Sequence, residues 1–153
     1  DKTTLKSAID TFTANGTTAG HLGTAWSWYV LSPNWSSVWT GTAVPNAYGT
    51  GTTKAVVLLS DFDMNSYYVS GNTSAQQTAT LCTNMKTAGV TVYTVGYNVN
   101  TSNSTDVALW NGCASDSGKV YSANTVSQLL AAFQSIAAAT VTGALADDIR
   151  LAE

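Results

Sequence analysis

Charged residues are unusually few in this sequence. Asp, Glu, Lys and Arg make up only 10% of its 153 residues, against about 25% in an average soluble protein. Six Lys and Arg stand against nine Asp and Glu, which leaves no basic surface for a phosphate backbone and excludes nucleic acid as a partner. Apolar runs are short, which excludes direct insertion of this segment into a membrane. An apolar content of 44% excludes a disordered chain.

Histidine and cysteine are also scarce, with one and two residues in the sequence. The single histidine, His21, is expected to be a helix-surface or packed residue rather than a catalytic base, because no nucleophile motif accompanies it. The two cysteines, Cys82 and Cys113, form no CxxC pair, so a zinc site is excluded. We expect one disulfide, which would contribute roughly 3–4 kcal/mol by closing a loop of about 30 residues. The alternative is a pair of buried free thiols.

Hydrophobic spacing predicts two helices before the first strand. The first runs from Leu5 to Phe12, and the second presents Leu22, Trp26 and Tyr29 on one apolar face. We expect Trp26 to lie in the core on that face. Residues 33–53 follow as a long surface loop, and loops of this length are usually functional or mobile.

From residue 54 onward, strand and helix patterns alternate. The predicted strands are 55–60, 90–95 and 120–121, and the predicted helices lie around 78–85, 107–110 and 126–137. The alternation predicts an α/β, Rossmann-like fold with a mostly parallel sheet flanked by helices. The run at 55–60 is continuously apolar, which favours a strand covered on both faces. A bare edge would not suit such a strand, so we expect an upstream central strand, lacking in this chain, to pair with it.

Carboxylates follow the most apolar predicted strand. Ligands gather at the carboxyl ends of parallel strands, and oxygen ligands suit a hard cation. The run Asp61-x-Asp63-x-Asn65 begins like an EF-hand loop. An EF-hand is excluded, because Ser66 and Asn72 stand where that loop needs Gly and Glu.

A magnesium-dependent phosphatase of the haloacid-dehalogenase type is an alternative interpretation of the same run. Asp61 would attack phosphorus and Asp63 would act as general acid, with magnesium screening the phosphate. Thr94, Lys119 and Asp147-Asp148 follow in the required order. Against this interpretation, Asp147-Asp148 follow a predicted helix with no strand before them.

Several segments of the chain resemble one family. Residues 15–33, a Trp-rich stretch that ends in Leu-Ser-Pro, resemble the von Willebrand factor A-like part of bacterial TadE/TadG-type pilus-assembly proteins. So do residues 54–61, residues 81–96 and the closing helix around 133–136. The resemblance implies that residues 1–153 are the C-terminal portion of a single von Willebrand A-like domain, without enzymatic activity.

The resemblance also implies a metal-ion-dependent adhesion site. Thr18 and Asp61 match the Thr and the Asp that hold a divalent cation, usually magnesium, in that family. Asp63 and Asn65 would be supporting or turn residues. The family's Asp-x-Ser-x-Ser motif does not occur in this sequence, so we expect the cation site to be incomplete and the cation to bind weakly or not at all.

The expected partner is a protein. It would be a pilus or envelope component, or the missing upstream strand of the same protein, in a periplasmic or extracellular setting. The parent protein would be anchored in the membrane by an upstream segment. Large aromatic residues are the candidate partner contacts. Trp28 is one because it lies off the apolar face of the second helix. Trp35, Trp39 and Tyr48 are the others, with folding back to cover the loop as their equal alternative.

Overall fold

Strands and helices alternate from residue 55 onward, as the hydrophobic spacing predicts. The computed structural model describes residues 1–39, 41, 44–49, 51–68 and 70–150, with the side chains of 142–150 left out of the description. Its helices are α1 (Lys2–Asp10), α2 (Gly20–Tyr29), α3 (Ser74–Thr87), α4 (Ser104–Cys113) and α5 (Val126–Arg150). Its strands are β1 (Ala55–Ser60), β2 (Thr91–Tyr97) and β3 (Val120–Ala123). Single 3-10 turns occupy Pro33–Trp35 and Ser117–Lys119.

The sheet is small, open and parallel. Within the described residues its strand order is β1-β2-β3. Ala55 pairs with Thr91 at one end of the β1–β2 ladder, and Thr94 pairs with Val120 at the start of the β2–β3 ladder. The mixed α/β prediction is therefore confirmed, and the arrangement is compatible with a Rossmann-like fold.

Helices cover both faces of β2. Val92 packs on one face with Cys82 and Met85 of α3, in a cluster that also takes in α4. On the other face, Val95 packs in a cluster with Ile136 of α5. Successive side chains of a strand point to opposite faces, so this alternation gives the sheet two separate apolar layers.

One face of β1 is only partly covered, which corrects the expectation that both of its faces are covered. Val56 is buried, whereas Leu59 is 47% exposed. The reason is the position of α5, which packs mainly against β2 and β3. On that face of β1, Ala55 and Val57 still pack against the cluster that contains Ile136 of α5, whereas Leu59 extends beyond its cover.

The outer side of β1 has no strand partner within the described residues. The carbonyl of Lys54 accepts a hydrogen bond from the amide of Thr91 at 2.8 Å. Backbone polar groups alternate sides along a strand, so the N–H groups of Ala55, Val57 and Leu59 point away from β2. These groups form an open hydrogen-bonding edge.

Helix α1 forms where it is predicted, but it buries none of its residues. The Asp1 side chain caps it by accepting from the Thr4 amide at 2.9 Å. None of its residues is buried, and Leu5 and Phe12 are 62% and 79% exposed. The apolar face of α1 is consequently exposed.

Helix α2 buries the opposite side from the one predicted. His21 and Thr24 are buried, and Trp26 is 55% exposed, so the placement of Trp26 in the core is wrong. The reason is the close approach of α3, where Nδ1 of His21 lies 2.9 Å from the hydroxyl of Ser74. A polar pair and a small residue suit that contact better than an indole.

The predicted disulfide is confirmed. Cys82 of α3 and Cys113 of α4 are bonded, and both are completely buried. Beside them, the Lys86 ammonium donates to the carbonyls of Gly112 and Ala114 at 2.5 and 3.2 Å. Covalent and polar links thus hold the end of α4 against α3.

Amide hydrogen exchange measured by NMR should expose the open edge. We expect the amides of Ala55, Val57 and Leu59 to exchange on the order of a hundredfold faster than those of Val56 and Leu58, which are bonded to β2. Uniform protection along β1 would contradict an open edge.

Removal of the disulfide should lower stability substantially. For the Cys82→Ala/Cys113→Ala double variant we expect the free energy of unfolding to fall by about 3–4 kcal/mol, because the cystine closes a loop with a sequence separation of 31. Urea unfolding of the two proteins measures the difference. A loss under about 1 kcal/mol would mean that packing alone holds α3 and α4 together.

Candidate functional site

A sharp turn follows β1 and fixes the positions of the two carboxylates after the strand. Phe62 adopts a φ of +63° and is only 1% exposed. The Ser60 hydroxyl accepts from the Phe62 amide at 3.0 Å, and the Asp61 carboxylate accepts from the Asp63 amide at 3.2 Å. A left-handed conformation is costly for a bulky residue, and burial of the ring offsets that cost. The turn sends Phe62 into the core and leaves Asp61 and Asp63 exposed at the carboxyl edge of the sheet.

The loop before α2 is tied to the loop after β1. The Asn65 side chain accepts from the Thr18 amide at 2.8 Å, and the Thr18 carbonyl accepts from the Ser66 amide at 3.0 Å. Gly20 allows this approach, because a Cβ there would lie 2.0 Å from the sulfur of Met64. Asn65, expected to be a supporting or turn residue, therefore positions Thr18.

Thr18 and Asp61 line different spaces. Thr18 lines a cavity of about 290 Å³ between α2 and the outer side of β1, together with Thr24 and Ser60. Asp61 lines a crevice of about 360 Å³ on the α5 side, beside Tyr97 and Asn98. The structure brings the two loops together, with Thr18 and Asp61 lining separate spaces among the described residues.

These residues do not by themselves fit a divalent cation. Magnesium favours six oxygen ligands in near-octahedral geometry. Thr18 and Asp61 offer one hydroxyl and one carboxylate, and no group of three His, Cys, Asp or Glu among the described side chains could hold a metal ion. A complete coordination sphere would need further oxygen ligands beyond these two side chains.

A third carboxylate lies near the same edge and was missed in the sequence. Asp106, in the first turn of α4, is 5% exposed. Burial raises its pKa above the usual value, and the charges of Asp63 and Asp61 raise it further. The spacing Asn103-x-x-Asp106 could have signalled it, since the Asn103 side chain caps α4 by accepting from Thr105 and an acid three residues after an N-cap is a helix-start pattern.

Charge is divided between the two edges of the sheet. Lys54 precedes β1 and Lys119 precedes β3, so both lie at the amino edge, because parallel strands share their direction. Lys119 pairs there with Asp116. The carboxyl edge, with Asp61 and Asp63, is acidic and suits a cationic group.

Two of the residues required of a phosphatase, Thr94 and Lys119, do not lie beside Asp61 in the described structure. Thr94, expected to end a strand, lies in the middle of β2 and is completely buried. Lys119 lies at the amino edge, opposite to Asp61. The side chains of Asp147-Asp148 lie outside the described residues. Asp61 and Asp63 therefore have neither Thr94 nor Lys119 beside them.

Four aromatic residues are predicted to contact a partner. Trp28 belongs to α2, and the other three make contacts with residues of α2. The Trp28 indole donates to the Tyr48 hydroxyl at 2.8 Å, and the Trp39 indole donates to the carbonyl of Tyr29 at 3.3 Å. The Trp35 ring stacks on that of Tyr29 with centroids 4.1 Å apart. All four are partly buried, and their contact with a partner remains a prediction. Of the predicted loop 33–53, residues 40, 42, 43 and 50 lie outside the described residues.

Comparison with known proteins does not identify a function for this chain. No family model, no curated protein and no solved structure matches this chain. The functional assignment consequently rests on the open edge of β1, the paired loops and the chemistry of the residues around them.

Substituting the buried acid should stabilise the protein. At neutral pH we expect Asp106→Asn to raise the melting temperature by a few degrees, about 1 kcal/mol or less, because it removes a buried charge repelled by Asp63 and Asp61. The pKa of Asp106 is higher in the folded protein than its ordinary value of 3.8. The free energy of unfolding therefore falls as the pH rises from 3.8 through the folded-state pKa. The gain should therefore disappear below pH 3.8, where both states are protonated.

Thermal unfolding followed by circular dichroism checks this, with Asp116→Asn as the control. The hydrogen bond from Lys119 lowers the pKa of Asp116, so that substitution should have the opposite sign and a small size. A lower melting temperature for Asp106→Asn at neutral pH would contradict the prediction.

Proposed function

We propose that this chain is the C-terminal portion of a von Willebrand factor A-like domain of the TadE/TadG type. Its function is to bind a protein partner in the cell envelope, without enzymatic activity. The observation that supports this most is the open edge of β1, with the loops of Thr18 and Asp61 meeting at its carboxyl end.

The open edge is suited to a further parallel strand. The N–H groups of Ala55, Val57 and Leu59 are available to pair with one, and the adjoining cavity of about 290 Å³ lies between this edge and α2. Apolar strands rarely lie bare, because an unpaired edge invites pairing with another chain. An upstream strand of the same protein would fill this position.

A strand placed there would end beside Thr18 and Asp61. Parallel strands bring their carboxyl ends to one edge, so an Asp-x-Ser-x-Ser motif after the upstream strand would add a carboxylate and hydroxyls to the two oxygens already present. That set would hold magnesium, which would supply a Lewis-acidic centre for a carboxylate of the partner protein. Within this chain, Thr18 and Asp61 are the residues that would orient the cation.

The expected location is the periplasm or the extracellular space. A disulfide links Cys82 and Cys113, and disulfides persist mainly in oxidising compartments. The low content of charged residues is in keeping with an envelope setting. Within the described residues, no helix has the length and apolarity required to cross a bilayer.

The proposal is tested by comparing this chain with a version extended by the segment that its gene encodes immediately upstream. Mn²⁺ binding is measured by calorimetry, and exchange of the β1 amides is measured by NMR. We expect the extended protein to bind Mn²⁺ at least about tenfold more tightly, or about 1.4 kcal/mol, and to protect the amides of Val57 and Leu59.

Variants locate the effect. Asp61→Asn and Thr18→Val should abolish the gain in the extended protein, whereas Asp116→Asn at the other edge should leave it intact. Micromolar Mn²⁺ binding by the present chain alone would overturn the proposal. An upstream segment without an apolar strand and an Asp-x-Ser-x-Ser motif would overturn it too, as would robust hydrolysis of a generic phosphate ester.

A further inference from the structure

Three aromatic rings form a surface cluster on the outer side of α2. In this aromatic cluster, the rings of Tyr29 and Trp35 stack with centroids 4.1 Å apart and planes 19° apart. The Trp26 ring lies edge-on to Tyr29 at 5.8 Å and tilted to Trp35 at 6.2 Å. Trp26 is 55% exposed. The cluster therefore presents indole surface to solvent.

The backbone that carries the cluster is held in place. The Ser32 hydroxyl accepts from the Asn34 amide at 3.3 Å, and Pro33 opens the 3-10 turn that carries Trp35. The Tyr29 carbonyl accepts from the Trp39 indole. A preorganised aromatic surface loses little conformational entropy when a ligand binds.

The segment around the cluster is free of charge. Residues 11–53 contain no Asp, Glu, Lys or Arg, yet they hold four of the five tryptophans. This segment offers an anionic ligand no cationic side chain and a cationic ligand no carboxylate. The Lys54 ammonium, which donates to the Leu31 carbonyl, is buried. The neighbouring Asn34 and Ser36 are exposed and uncharged. Electrostatic complementarity thus favours a neutral ligand that is rich in hydrogen-bonding groups.

We infer that the aromatic cluster binds a neutral carbohydrate chain. The axial C–H bonds of a pyranose ring carry partial positive charge and pack on the electron-rich face of an indole. Hydroxyl groups at the ring's rim can exchange hydrogen bonds with amide and hydroxyl side chains such as Asn34 and Ser36. This inference is independent of the proposed cation site, which lies at the carboxyl edge of the sheet.

Titration with neutral hexasaccharides tests the inference. Tryptophan fluorescence and NMR shifts of the indole N–H groups are recorded while cellohexaose, laminarihexaose or chitohexaose is added. We expect saturable binding of at least one of them. Trp26→Ala and Trp35→Ala should weaken it about tenfold or more, as substitution of an aromatic anchor does, whereas Trp26→Phe should retain most of it.

Phe12→Ala is the matched control, because Phe12 is an exposed aromatic residue outside the cluster. It should leave the affinity unchanged, and circular dichroism should show every variant to be folded. Absence of binding to all three hexasaccharides would overturn the inference, and so would equal affinity in Trp26→Ala. Preferential binding of an anionic polysaccharide or of a quaternary ammonium compound would also overturn it, as would self-association through Trp26.

Discussion

Parallel pairing between β1 and β2 is the constraint on which the rest of the structure depends. The register from Ala55–Thr91 to Ser60–Gly96 sets which end of the sheet receives the loops after β1 and β2. It also requires α3 to return along the sheet, where the disulfide between Cys82 and Cys113 then joins it to α4. Because β2 takes hydrogen bonds on both sides, the unpaired edges within the described residues are the outer sides of β1 and β3.

The two edges of the sheet have different electrostatic character as a result. Asp61 and Asp63 collect at the carboxyl edge, while Lys54 and Lys119 lie at the amino edge. Asp106 adds a buried carboxyl near the acidic edge, and its pKa is raised first by burial and then by the negative charges of Asp63 and Asp61. This edge is where a cation, or a strand that brings one, would relieve repulsion. The aromatic cluster lies apart from it in an uncharged segment, so each region suits a ligand of different chemistry.

Local signals anticipated part of the candidate site. Asp61 after an apolar run, and a Thr18 loop before a helix, follow from residue order, and both lie in loops that meet at the carboxyl edge. The link through Asn65 and the burial of Asp106 could not be foreseen in detail. They depend on contacts between residues 47 positions apart and on the angle at which α4 meets the sheet.

The sequence by itself determined the order of strands and helices, the disulfide partners and the carboxylates after β1. These follow from short-range periodicity and from the fact that only two cysteines exist. Tertiary structure alone decided which side of α2 is buried and how far β1 is covered. Trp26 has the spacing of a core residue and is nevertheless exposed, because periodicity defines a face but not the neighbour that covers it. The same reason leaves Leu59 of β1 exposed, since cover over a strand's face requires an element from elsewhere in the fold.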